Sequence, residues 1–190
     1  MVRIKGRFAD QVAEDYQRIC LTVRNLLPMS LPKHSKLSGI NSSTLGGFVS
    51  GNIVMDVHDL AAILRVAGLN TADLLLYAWQ GQPPSLPLDL ELQWKAGTLE
   101  TAPENGDEVL VAIDACLRDH KLPRTSIPLI LGWERVKPSG TMGRYLTKKI
   151  PFGWQRVLQV LHLADIQPAE FAERYLTATG QGRESATALA

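Results

Sequence analysis

Residues 42–74 and 139–171 of this chain are the same segment written twice. The first reads SSTLGGFVSGNIVMDVHDLAAILRVAGLNTADL and the second SGTMGRYLTKKIPFGWQRVLQVLHLADIQPAEF, aligning without a gap at a constant offset of 97 residues. Seven pairs are identical: Ser42/Ser139, Thr44/Thr141, Gly46/Gly143, Ile53/Ile150, Leu64/Leu161, Ala67/Ala164 and Ala72/Ala169. Others exchange like for like, among them Phe48/Tyr145, Val49/Leu146, Ile63/Val160, Leu69/Ile166 and Asp73/Glu170. Short repeats at a fixed period build solenoids, whereas two copies this far apart describe a duplicated domain. Any fold for this chain has to be built twice.

The length of 190 residues allows one or two domains, each with a small core of its own. Apolar content of 45% and a formal net charge of +1 exclude a disordered or membrane-embedded chain. The opening MVRIKGRFADQVAED lacks the apolar run of a signal peptide, and nowhere do 18 apolar residues run together, so a soluble cytoplasmic protein is expected. Charge is unevenly spread. Residues 1–80 sum to +2, residues 81–108 to −5 and residues 109–190 to +4, so two mildly basic lobes flank an acidic connector. A small net charge therefore does not argue against an anionic partner for either lobe.

Apolar spacing predicts an amphipathic first helix over about residues 8–26, carried by Phe8, Val12, Tyr16, Ile19, Cys20 and Val23. Pro28 and Pro32 close it and restart the chain, a short helix follows at about 33–38, and Gly39 ends that one. Asn41 and Ser42 are good caps for a third helix reaching Val49. After Gly51-Asn52, Asp56 caps a fourth with Val57, Leu60, Ala61, Leu64 and Ala67 as its apolar stripe. Gly68 stops it, and Thr71 is the expected cap of a fifth running to Trp79.

The second copy repeats the plan. Asp107 is the expected cap of a helix that buries Val109, Leu110, Ile113, Cys116 and Leu117, and Pro123 ends it. A helix is expected over about 126–134 with Pro128 in its first turn. Pro138-Ser139 opens the next helix, Trp154, Val157, Leu158, Leu161 and Ala164 stripe the fourth, and Pro168 starts the fifth. Residues 177–190 are small and polar and are expected to form a disordered tail. Between the copies, Leu86, Leu88, Leu90, Leu92 and Trp94 alternate with polar residues or proline, the period of a half-buried strand that Ala96-Gly97 turns back. A lone two-stranded element is marginal in water and needs a surface, either a lobe or a second copy of itself, so a homodimer through the connector is one arrangement considered.

Helix, short turn, helix and two supporting helices is the plan of a helix-turn-helix DNA-binding domain. Gly39-Ile40-Asn41-Ser42-Ser43-Thr44-Leu45, then Gly51, Asp56 to Leu60 and Ala67-Gly68-Leu69-Asn70, resembles the Cro/C1-type, lambda-repressor-like family. The second copy resembles it through Thr141-Met142-Gly143-Arg144-Tyr145-Leu146 and Val157 to Ile166. The resemblance implies an all-α protein with two tandem helix-turn-helix domains, residues 1–80 and 107–176; the charge and alternation described above place between them an acidic connector at 81–106 that can contribute a short β element. It implies a transcriptional regulator, more a repressor than an activator, with double-stranded DNA as partner. The N-terminal half of each third helix would then enter the major groove. Copy one would present Asn41, Ser42, Ser43, Gly46 and Gly47, with Lys33 and Lys36 near phosphates. Copy two would present Ser139, Gly140, Thr141, Gly143 and Arg144, with Lys137, Lys148 and Lys149 around them. Arg144 is the best reader of guanine, because its fork matches the O6/N7 pair. The lysines suit phosphates, which position without specifying.

Other chemistry finds little support. Cys20 and Cys116 are too few for a disulfide framework or metal site and read as small core residues. His34, His58, His120 and His162 lack partners at metal-ligand spacing, and neither a phosphate-binding glycine loop nor a nucleophile motif is present, so no enzyme, metal or cofactor is expected. Trp79, Trp94, Trp133 and Trp154 read as packing residues. Two alternatives stay open: a dimerisation or protein-interaction module whose repeats have lost DNA binding, and an antitoxin-type or mobile-element regulator.

Overall fold

The computed structural model describes residues 4–27, 30–81, 106–133 and 140–179. The protein is mostly helical, with no strand among the described residues. The helices are α1 (Ala9–Leu26), α2 (Leu31–Ser38), α3 (Ser42–Val49), α4 (Val57–Val66) and α5 (Thr71–Gln80), then α6 (Asp107–Asp119), α7 (Ile127–Ile130), α8 (Thr141–Leu146), α9 (Trp154–Leu163) and α10 (Pro168–Thr179). The expected connector strand lies outside the described residues. No single described helix is long and apolar enough to cross a membrane.

Local chemistry accounts for most boundaries. Asn41 Oδ1 accepts the Ser43 backbone N–H at 2.8 Å, and Asp56 Oδ1 accepts those of His58 and Asp59 at 2.9 Å, so α3 and α4 each start on a satisfied N-cap. The fifth helix is capped one residue earlier than expected. Asn70 and Asp73 form a reciprocal capping box at 2.9 Å in both directions, which leaves Thr71 as the first helical residue. Asp107 is also not a cap: left-handed Gly106 precedes α6, and the Asp107 carboxylate reaches across to His58 and Lys148. The helix expected over 126–134 is a single turn, because Gly132 at φ 66° lets Trp133 N–H bond back to Pro128 O and ends it. Residues 177–179, expected in the tail, continue α10.

Helix stops recur at equivalent places. Gly51 and Lys148, 97 residues apart, both stand in the left-handed region, and so do Gly68 and Asp165. Each pair makes the same closing bonds, with Leu69 N–H donating to Leu64 O at 2.9 Å and Ile166 N–H to Leu161 O at 3.0 Å. The backbone keeps one conformation while the residue changes from glycine to a side chain that is strained there.

The copies share one buried apolar core. Within copy one, α1 packs on α3 and α5; within copy two, α6 packs on α8 and α10. Across the copies, α5 packs along its own counterpart α10, and α1 lies on α9. At the centre, Asp56 and Gly153, again 97 residues apart, form an antiparallel bridge. Val57 N–H donates to Phe152 O at 3.0 Å and Trp154 N–H donates to Met55 O at 2.9 Å, so equivalent residues exchange equivalent bonds. Reciprocal contact between the same surface of two copies is the property of a two-fold relation. Two His–Asp pairs also cross between the copies: His58 with Asp107 at 3.1 Å and His162 with Asp15 at 2.9 Å.

Two stability predictions follow from these helices. Replacing Asp165 by glycine removes left-handed strain from an exposed site and should raise stability by about 0.5–1 kcal/mol in urea unfolding. His34 is fully buried, with one ring nitrogen on Ile63 O at 2.9 Å and Nδ1 without a partner among the described residues. Burial holds its pKa below the ordinary histidine value, although the Ile63 carbonyl partly opposes this. The unfolded chain therefore binds the proton more readily. The His34 contribution is complete above about pH 6.5 and is lost as pH falls towards the depressed folded value. Unfolding free energies at pH 5 and 7.5 should differ less in His34→Gln than in the native chain.

Candidate nucleic-acid interface

The third helix of each copy has a buried underside and an open top. Leu45, Phe48 and Val49 turn α3 into the core, leaving Asn41, Ser42 and Ser43 exposed and Gly46 and Gly47 half-buried. Asn41 Oδ1 also accepts the Ser43 hydroxyl at 2.7 Å, so that oxygen is committed to the cap and the amide NH2 is the group Asn41 can offer outward. Lys33 and Lys36 are exposed on α2. In copy two, Met142 and Tyr145 anchor α8, while Gly140 and Arg144 are exposed. Arg144 has no ion-pair partner among the described residues.

The two helices are finished the same way. Ser50 Oγ donates to Gly46 O at 2.9 Å, and Thr147 Oγ1, its equivalent, donates to Gly143 O at 2.7 Å. Neither Gly46 nor Gly143 has an atom within 4 Å of where a Cβ would stand, so packing does not require glycine at either place. Gly47 differs. A Cβ there would lie 2.5 Å from Ile53 Cδ1 and 2.8 Å from its Cγ1. Packing of Ile53 explains Gly47, and the open face of α3 explains Gly46 no further than that a close approach is sterically allowed.

Two expected site residues change standing. Thr141 is 1% exposed, facing inward beside Met142 at the start of α8, so its side chain is not available to a partner. Lys148 follows α8 in the left-handed region and its ammonium is ion-paired with Asp107. That carboxylate is desolvated, which raises its pKa, but hydrogen bonds and charge from Lys148 and His58 outweigh this and hold it below the usual range. Lys148 is thereby partly neutralised; both lysines are exposed, and Lys149 has no ion-pair partner among the described residues. Lys137 and Ser139 lie outside the described residues.

Behind α8 is an aromatic support that residue spacing alone did not reveal. Trp133 packs edge-on to Tyr145 with centroids 5.8 Å apart, and Tyr145 stacks on Phe152 at 4.7 Å. Arg156 lies 5.0 Å from the Tyr145 centroid and 5.3 Å from that of Trp133, and burial lowers its pKa. Arg156 is thus occupied in packing on the rings behind α8. The tryptophans described here, Trp79, Trp133 and Trp154, all pack, as their positions suggested. Cys20 and Cys116 are buried free thiols, and burial raises both pKa values, Cys20 to about 12. No group of three or more His, Cys, Asp or Glu among the described residues is placed to hold a metal.

Comparison with protein-family models, curated proteins and solved structures gave no match for this chain. The site therefore has to be argued from its own geometry.

The two neighbouring glycines of α3 give a direct check on that geometry. Gly46→Ala gains helix propensity at an open position, whereas Gly47→Ala forces Ile53 aside. The first variant should be the more stable of the two by about 1 kcal/mol in thermal or urea unfolding.

Proposed function

We propose that this protein is a sequence-specific double-stranded DNA-binding regulator, more a repressor than an activator, whose two repeats are lambda-repressor-like helix-turn-helix units spanning residues 1–80 and 107–176. The observation that carries the reading is the pair of equivalent helices α3 and α8. Each is anchored by a buried apolar underside and offers small or polar residues, or Arg144, on an open face. An α-helix fits the major groove, and side chains on its first turns reach base edges.

The reciprocal bonds at Asp56 and Gly153 favour an inverted target over a direct repeat, because two-fold-related reading helices match two-fold-related half-sites. The halves would be unequal. Copy two would read through Arg144 with a bidentate contact to guanine, backed by Lys149 on phosphate. Copy one would contribute Asn41, Ser42, Ser43 and the close approach allowed at Gly46, with Lys33 and Lys36 on the backbone. Affinity would rest largely on counterion release and fall steeply with salt.

The test is selection of genomic DNA fragments by the purified full chain, repeated with Arg144→Ala. The expected result is one enriched motif with unequal, inverted halves, in which the variant relaxes one guanine preference at a cost of about 1–3 kcal/mol. Absence of any motif above salt-sensitive background would sink the proposal. A second reading, an interaction module in which copy one no longer binds DNA, is favoured by the lack of any cation on the exposed start of α3. Arg144→Glu with Lys149→Glu separates the two, since an interaction module would keep its partner.

A further inference from the structure

Residues 4–8 precede α1 of copy one but are held by copy two. Gln159, a polar residue 2% exposed inside the apolar helix α9, donates its amide hydrogens to Lys5 O at 3.0 Å and Arg7 O at 3.3 Å. Its Oε1 accepts the Trp133 indole N–H at 2.7 Å, so the amide is used at both ends. Arg7 N–H donates to Leu131 O at 3.3 Å. Gly6, at φ 98°, passes so close that a Cβ would stand 2.4 Å from that same carbonyl. Phe8 completes the attachment by stacking on His162 with centroids 5.6 Å apart.

These bonds take up the backbone of the strap and leave the side chains of Lys5 and Arg7 exposed. Arg7 is steadied over the Phe8 ring at 5.0 Å, and neither cation has an ion-pair partner among the described residues, with Asp10 the nearest acid in sequence. The place where they are fixed is specific. Leu131-Gly132 closes α7, the helix before α8, and Trp133 packs on Tyr145, the neighbour of Arg144. Gln159, Gly6 and the packing of Ile4 and Phe8 on the core hold the backbone in place, and none of these contacts needs a charge at positions 5 and 7. A structural strap would be served equally well by neutral exposed side chains.

We propose that residues 4–8 are a DNA-backbone-binding strap, through which the N-terminal segment of copy one supplies Lys5 and Arg7 to phosphates flanking the half-site read by α8. This rests on the DNA-binding reading above and adds a contact to it. The strap would set affinity and orientation on the copy-two half and carry no base preference.

The experiment measures the dissociation constant of the full chain on its selected fragment between 50 and 200 mM salt. The native chain is compared with Lys5→Gln/Arg7→Gln and with the control Arg24→Gln/Arg118→Gln, which removes two exposed cations outside the strap. Loss of two phosphate contacts should reduce the slope of log K against log salt by about 1.8, with the base preferences unchanged. Phosphate-ethylation interference should disappear only in the half whose guanine preference depends on Arg144. Gly6→Ala keeps both cations but displaces the strap, and should lower the slope too. Thermal unfolding confirms that each variant is folded. An unchanged slope in the strap variants, or an equal fall in the control pair, overturns the strap while leaving DNA binding intact. If the native chain itself shows no salt-dependent binding, the DNA reading fails and the strap proposal falls with it.

Discussion

Two backbone hydrogen bonds decide how the halves of this protein meet. Val57 N–H to Phe152 O and Trp154 N–H to Met55 O join the starts of α4 and α9, where amide hydrogens have no partner inside their own helices. Their net contribution is modest, about 1 kcal/mol each, and most of the cohesion comes from the apolar residues around them. Met55, Phe152, Val57 and Trp154 are all 1% exposed or less. What the bonds contribute is register. Equivalent atoms can exchange equivalent bonds only about a two-fold axis, and that axis also accounts for α5 packing along α10.

Within this frame the copies have diverged by size and charge, and α7 and α8 are shorter than α2 and α3, while the helix stops keep their backbone conformation. Val57 lies opposite Phe152 in the bridge and Met55 opposite Trp154, so copy two supplies most of the bulk. Its aromatic cluster of Trp133, Tyr145 and Phe152 has no counterpart of equal size in copy one, where Tyr16 and Phe48 pack at 6.2 Å. Tyr16 instead serves the loop before α4, donating its hydroxyl to Ile53 O at 2.9 Å and accepting Met55 N–H at 2.8 Å. The left-handed stops at Gly51/Lys148 and Gly68/Asp165 show the same independence of backbone and residue. A glycine's disappearance from the second copy did not remove the turn it served.

Much of this was legible because it is local. The apolar stripes from Val57 to Ala67 and from Trp154 to Ala164 are buried as their spacing requires, and Asn41 and Asp56 cap the helices they precede. The misses are tertiary. Asp107 looked like a cap, but its carboxylate is drawn to His58 and Lys148, residues distant in sequence. Thr141 was expected on the face offered to DNA, yet its side chain is buried at the start of the short α8. The strap was invisible because its partners, Gln159 and Leu131, are more than a hundred residues away, although a glutamine inside an apolar stripe was a signal that something polar lay opposite. Gly47 was placed among the residues copy one would present to DNA, and its neighbour Ile53 supplies a packing reason for the glycine.

That last residue bears on why a reader of DNA would be fused rather than assembled from two identical chains. Gly47 and Arg144 are equivalent positions, 97 residues apart. In a homodimer both would be the same residue, and each half-site would be read alike. Fusion allows copy one to give that position to the packing of Ile53 while copy two keeps a long cationic side chain there. If the two helices read DNA as proposed, fusion would also make their encounter intramolecular, so the entropy of bringing two subunits together would not count against DNA affinity. On the proposed reading, occupancy of the target then rises with the first power of protein concentration. An asymmetric inverted site becomes the preferred target, because one half can be specified tightly through Arg144 while the other is held chiefly by shape and backbone contact.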